Sequence, residues 1–424
     1  MRAPAFIFGL LTVSLTASPE TAGPVWTTAF RGETRLIHDT NVFLQDGAPL
    51  TAGQSIRGEP AHADATELVS AATASVRRRP ADDTGLNADF GYTFEWHRFD
   101  AFREESHRDH RLNASLRESA SDWLSDAKLS VLDVDGSKFA PVYNEQGGTP
   151  AIGGEPVRAR YAQTVVTASG STLWHPAGTL RLRGQFAALN QDFHTLHDGT
   201  TVGYANYVDR GQAVAGIDAG RVLWGDVTVW TSLRAGRQWE ANLLGKVDNF
   251  TNNVLRPLVG LEGTVAPKLR ITVWAGPDYR HFTSERRAGT DAVRVEPFFD
   301  SSVIWSPTAA DNVTLNAREQ LWIGTGGRSA FREFRGDAAW THRLSTALDT
   351  ALRFNAQHGN FAGLCTTPRN DSIFSAAIAL GEQVTRAVRL ETGLTREWSQ
   401  TRIPTTAGRA WTRWLGSLGA ARTW

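Results

Sequence analysis

The chain reads as an all-β protein: a transmembrane antiparallel up-and-down β-barrel of about 18 strands, with 16 as the alternative count. Three observations predict this. Apolar and polar residues alternate in stretch after stretch. The N-terminus has the form of an export signal. The connections between the alternating stretches are long and short by turns.

The alternation is clearest over Leu86–His97. Leu86, Ala88, Phe90, Tyr92, Phe94 and Trp96 occupy the even positions, and Asn87, Asp89, Gly91, Thr93, Glu95 and His97 the odd ones. Successive strand side chains point to opposite faces, so this segment has one oily and one wet face. Leu269, Ile271, Val273 and Ala275 alternate in the same way with Arg270, Thr272 and Trp274. Leu348, Leu352 and Phe354 oppose Asp349, Arg353 and Asn355. An Arg on the lipid face near mid-bilayer costs about 2–4 kcal/mol, so the charged face is expected inside a closed barrel. Glu319 is the misfit: it shares the phase of Leu315, Ala317, Leu321 and Ile323.

Taken in order, the candidate strands run near 27–37, 66–78, 85–98, 107–117, 123–133, 158–172, 178–193, 204–222, 226–240, 252–265, 268–282, 292–305, 311–324, 329–342, 346–357, 371–382, 386–398 and 409–424. Connections after odd-numbered strands include the long 38–65, 134–157 and 241–251. Those after even-numbered strands centre on short turns such as Pro80–Asp83, Ser119–Asp122 and Ala266–Pro267. Short periplasmic turns, long outer loops and both termini on the periplasmic side are the pattern of bacterial single-chain barrels.

Arg2, the apolar run Ala5–Leu15 and the small residues Thr16, Ala17 and Ser18 form the charged, apolar and cleavage regions of a signal peptide. The expected organisation is a signal at 1–18 and one barrel domain over 19–424; residues 18–26 are too short for a plug domain. Beyond the signal no apolar run of about 18 residues suggests a membrane helix. Export without such a helix leaves the periplasm, the exterior or the outer membrane, and the alternating strands point to the outer membrane. The 44 basic and 44 acidic residues balance, which excludes the basic excess expected of a nucleic-acid partner. The single Cys365 cannot form an internal disulfide.

The residues expected to line the pore are Arg181, Arg183, Arg234, Arg270, Arg318, Arg353 and Arg389, with Asp89, Glu95, Glu262, Asp337, Asp349 and Glu391; Asp300 shares their phase. Charges along an aqueous channel bias which polar solutes pass. The Gly/Pro-rich segment Asp133–Arg158 is expected as an outer loop or a constriction. Its Asp133–Asp135–Gly136 start lacks the further acidic ligands of a calcium loop. His97, His107 and His110, near Glu104 and Glu105, read as surface histidines at strand ends rather than a metal site. Ser106, His107 and Asp109 adjoin without a hydrolase motif, so no catalytic residue, metal or cofactor is expected. Trp96, Phe99, Phe102, Trp224, Trp239, Tyr279, Phe282, Trp305, Trp322, Trp398 and Trp411 suit the aromatic girdles of a membrane barrel.

The signal, the alternating strands and the terminal Trp424, with Leu418 and Trp414 in its phase, resemble those of Gram-negative outer-membrane β-barrels. More narrowly, the whole chain resembles the β-barrel porin family associated with exopolysaccharide export. The resemblance implies that Trp424, Leu418 and Trp414 are read by the barrel-assembly machinery, although Arg422 interrupts their phase. The expected function is passive diffusion of small polar solutes or a saccharide through the outer membrane, with lipid around the wall. A non-conducting barrel serving surface interaction or structure is the alternative, and an outer-membrane hydrolase a third reading.

Overall fold

A computed structural model describes residues 24–42, 63–80, 85–135, 162–176, 178–194, 209–241, 250–283, 291–323, 330–361, 370–402 and 411–424. Eighteen strands follow in order: β1 (Val25–Asp39), β2 (Ala65–Arg79), β3 (Gly85–Phe99), β4 (His107–Ser119), β5 (Trp123–Asp135), β6 (Gln163–Trp174), β7 (Leu180–Phe193), β8 (Arg210–Trp224), β9 (Val227–Glu240), β10 (Asn252–Ala266), β11 (Leu269–Phe282), β12 (Val293–Trp305), β13 (Asp311–Ile323), β14 (Ala330–Arg343), β15 (Leu348–Asn360), β16 (Asn370–Gln383), β17 (Val388–Arg402) and β18 (Trp411–Thr423). Each pairs antiparallel with the next, and β1 pairs with β18 from Arg31↔Thr423 to Asp39↔Leu415, so the sheet closes on itself. Closure removes the exposed edges that lipid cannot satisfy.

The expected count of eighteen is the count observed. The largest displacements are at β6, expected from 158, and β8, expected from 204. Connections after even-numbered strands are five residues or fewer, down to 225–226 and 267–268; those after odd-numbered strands are six or more. Each two-residue turn carries one residue at positive φ, Gly225 at 55° and Lys268 at 65°. A residue in the left-handed region lets each connection reverse the chain in two residues, with a register shift beside it at Val222–Trp224 and Thr264–Ala266.

Outward positions form an apolar mantle: Phe30, Ile217, Leu233, Val259, Leu394 and Leu418 are 47–71% exposed. Trp26, Trp123, Trp224, Trp305 and Trp424 stand on it toward the short-turn end, with Trp96, Tyr279 and Trp414 toward the other. A soluble protein would not leave so large an apolar surface bare. The fold is that of an outer-membrane β-barrel. By the rule for such barrels, the short turns face the periplasm and the long connections the exterior.

The girdle expectation fails in part. Phe282 and Trp411 are buried on the inner face and Trp322 packs beside Phe331 and Trp411, while Phe99 and Phe102 pack against Val42, Ala63 and Ala65. The cause lies in the wall itself, described next. Residues 1–18 and 136–158 fall outside the described residues.

Candidate functional site

Near its outer end the wall opens between β12 and β13. Their pairing stops at Phe299↔Glu319, although β13 continues to pair with β14 up to Ile323↔Ala330. Proline chemistry accounts for the break. Pro277 on β11 stands opposite Pro297 on β12. Neither nitrogen can donate, so the pair is a non-hydrogen-bonded one, and the backbone polar edge of Pro297 faces β13, where it offers no donor. Pro257 occupies the same row on β10, and the β10–β11 ladder lapses there between Leu255↔Tyr279 and Val259↔Ala275.

Freed from β12, the outer end of the β13–β14 hairpin turns into the lumen. Leu321 and Ile323 keep the phase of lipid-facing residues, yet they are 1% and 3% exposed, packed with Ala330 on Phe250 and Phe282. On the other side of the hairpin, Phe331 stacks on Phe361 at 4.9 Å and packs with Ile373, Trp411 and Trp322. Two buried guanidiniums hold its backbone. Arg280 of β11 donates to the Leu321 carbonyl at 3.1 Å, and Arg210 of β8 donates to the Ile323 carbonyl from across the lumen. Arg280 is itself fixed by Asp278 at 2.7 Å and by Asn252 at 2.9 Å. Glu319 resolves as the residue at the branch point, on the outer face, 3.1 Å from Arg332.

Below the hairpin lies a cavity of about 860 Å³. One wall carries Arg111, Asn113, Ser130, Thr167 and Gln212, and the other Asp300, Arg318, Glu333, Arg335 and Asp337. A second cavity of about 720 Å³, nearer the periplasmic end, is lined by Arg77, Arg79, Asp89 and Lys128 among others. The two share Asn113, Ser130, Thr167 and Ser169, so they adjoin along this part of the wall.

The residues expected in the pore all lie on inward positions of their strands, in several separate groups. Arg318 pairs with Asp300 at 3.0 Å beside Asp337 in the larger cavity, and Asp89 pairs with Arg77 and Arg79 in the smaller. Arg183 bridges Asp218 at 2.7 Å and Glu262 at 3.0 Å with its guanidinium over Trp230, while Arg270 takes the other oxygen of Glu262. Arg234 lies over Trp274 at 4.7 Å. Arg389 grips Asp349 through two nitrogens and Glu391 through the third. Glu95 accepts from Arg35 at 3.2 Å. Arg181 turns to the carbonyls of Gly178 and Leu180 at the periplasmic turn, and Arg353 is placed on the inner face by its pairing with Ala339 and Ala377. Arg77, Arg79, Arg111, Lys128, Arg335 and Glu333 line the two cavities without having been singled out in the sequence. Their signal was the same period-two phase.

Trp424, Leu418 and Trp414 all face outward, at 62%, 61% and 42% exposure; Arg422 shares that face with its guanidinium over the Trp424 ring at 5.1 Å.

No family model matches the chain, and no curated protein does. Among solved structures, the outer-membrane protein OpdK of Pseudomonas aeruginosa aligns with a TM-score of 0.42 at 10% identity, over 94% of this chain and 99% of that one. OccK2 (OpdF) of the same organism, in complex with glucuronate, aligns at 0.43 and 10%, over 94% and 97%. The FrpB iron transporter of Neisseria meningitidis aligns at 0.45 and 10%, over 94% and 81%. These are likenesses of barrel architecture, and cargo does not pass from them to this chain.

Proposed function

We propose that the chain is an outer-membrane channel for passive diffusion of small polar solutes, narrowed at its outer end by the β13–β14 hairpin. The observation that carries this is the pair of adjoining, charge-lined cavities beneath the hairpin. Its two cavities carry Arg77, Arg79, Arg111, Lys128, Arg318 and Arg335 against Asp89, Asp300, Glu333 and Asp337, an excess of two positive charges. Such a lining favours anions weakly, because paired charges of both signs cancel over a short distance and salt screens the rest. Sugar acids and other small anionic solutes fit that lining. The link to exopolysaccharide export rests on the family resemblance alone.

Liposome swelling tests the reading. Proteoliposomes should swell in neutral sugars and faster in sugar acids of matched size; no swelling from correctly inserted protein contradicts it.

A second reading, a non-conducting barrel, is favoured by the density of ion pairs on the β7–β11 side, where Asp218, Asp278 and Arg280 are fully buried. Absence of swelling would support it.

A further inference from the structure

The outer end of the β3–β4 hairpin gathers a set of donors away from the two cavities. The hairpin register places His97 directly opposite His107, and Glu95 opposite Asp109, all on the inner face. The two imidazoles lie parallel with centroids 4.4 Å apart. The Asp109 carboxylate stands 3.7 Å from Nε2 of His97 and 3.9 Å from Nε2 of His107. One ligand atom from each of the three residues falls within 4.8 Å of the others. The side chains are only 11–17% exposed, and Phe99 closes one side, its ring 6.4 Å from that of His107.

The hydrogen bonds fix which nitrogens are available. Nδ1 of His107 is 2.8 Å from the Glu105 main-chain carbonyl, which can only accept, so Nδ1 carries the proton. Nδ1 of His97 donates in the same way to the Glu67 carboxylate at 2.5 Å. With its proton on Nδ1, each ring in its neutral form turns an Nε2 lone pair toward Asp109. Nε2 of His97 and Oδ1 of Asp109 are buried with no hydrogen-bond partner. Unpartnered buried acceptors are costly; a cation satisfies them together. An imidazole donating its far nitrogen to a carboxylate or carbonyl is the usual support of a metal-binding histidine.

We propose that His97, His107 and Asp109 bind a divalent transition-metal cation, zinc in the first instance, through two imidazole nitrogens and one carboxylate oxygen. Three protein ligands leave a fourth tetrahedral position for water. Ligands about 2.0–2.1 Å from zinc stand roughly 3.3–3.4 Å apart, so binding draws donors now within 4.8 Å of one another together by up to about 1.5 Å and tilts the stacked rings toward each other. His110 takes no part: its ring is on the outer face, bonded to the Tyr92 hydroxyl at 2.7 Å. The site does not depend on whether the barrel conducts.

The test is calorimetric titration of zinc into tag-free, chelator-stripped, refolded barrel in detergent, with heat-modifiable migration as the folding control. One ion per chain is expected, with affinity reduced at least tenfold in His97→Ala and His107→Ala, about 10- to 100-fold in Glu67→Gln, and unchanged in His110→Ala. Cobalt should give the visible absorption of a four-coordinate nitrogen–oxygen site in the wild type and lose it in His107→Ala. No binding by the folded wild type, or equal binding by folded His97→Ala and His107→Ala, overturns the proposal.

Discussion

Arg280 on β11 donates its guanidinium to the backbone carbonyl of Leu321 on β13, 3.1 Å away and skipping the intervening strand. Neighbouring barrel strands bond edge to edge. This bond runs from inner face to backbone, and it is possible because β13 has left the wall. Asp278 holds Arg280 on one side and the packing of Leu321, Ile323 and Phe282 secures the other. The hairpin is thus fastened inside the lumen both through its backbone and through its apolar side chains.

Removing that tether should loosen it. Arg280→Ala leaves Asp278 buried with less compensation and the Leu321 carbonyl without this donor, a change costing about 3–5 kcal/mol. The expected result is larger and noisier single-channel current. Unchanged current from a folded variant would show that the hairpin does not set the aperture.

The apolar anchor makes an independent prediction. Phe331 is 1% exposed against Phe361, and Phe331→Ala should cost about 3–5 kcal/mol. Because the loss falls on one end of the hairpin, limited proteolysis should cut the variant near residues 324–329 before the remainder of the barrel yields.

Charge in the passage should set ion preference. Arg77→Glu with Arg79→Glu removes two positive charges and adds two negative ones, which turns the excess of two positive charges to two negative. The reversal potential in a salt gradient should change sign toward cations, and the difference should shrink in concentrated salt. A reversal potential unmoved by the double change would place the selective charges elsewhere.

The two faces should answer differently to one substitution. Leu394 faces outward at mid-strand, while its neighbour Thr395 faces the lumen. Leu394→Arg should lower stability by about 2–4 kcal/mol in lipid, and Thr395→Arg should cost far less, as read by urea unfolding in vesicles.

The β8–β9 turn carries a pH dependence. The Thr264 main-chain N–H, and then its hydroxyl, hold the Asp226 carboxyl below the usual carboxylate range. A lowered folded-state pKa contributes stability above the unfolded pKa that is lost as pH falls through the folded one. Asp226→Asn should therefore lower the unfolding midpoint slightly at neutral pH and make no difference in strong acid.

Much of this barrel was legible in the sequence. Period two reports the side of the sheet each residue faces, so Arg183, Asp349 and Glu391 could be assigned inward without knowing their partners. It does not report whether the sheet itself bends. Leu321, Ile323 and Phe282 read as ordinary wall or girdle residues for that reason. Two signals of the bend were present: Glu319 in a lipid-facing phase, and Pro257, Pro277 and Pro297 at intervals that three adjacent strands bring into one row. The meeting of His97 with His107 was hidden more deeply. It depends on the register across a seven-residue connection, and a slip of one residue would have sent one ring to the opposite face.

Single-channel recording of the refolded protein in a planar bilayer tests the central claim most directly. A conducting passage beneath an inward hairpin predicts steady ohmic steps with weak anion preference. A folded, heat-modifiable barrel that inserts and gives no steps would contradict it.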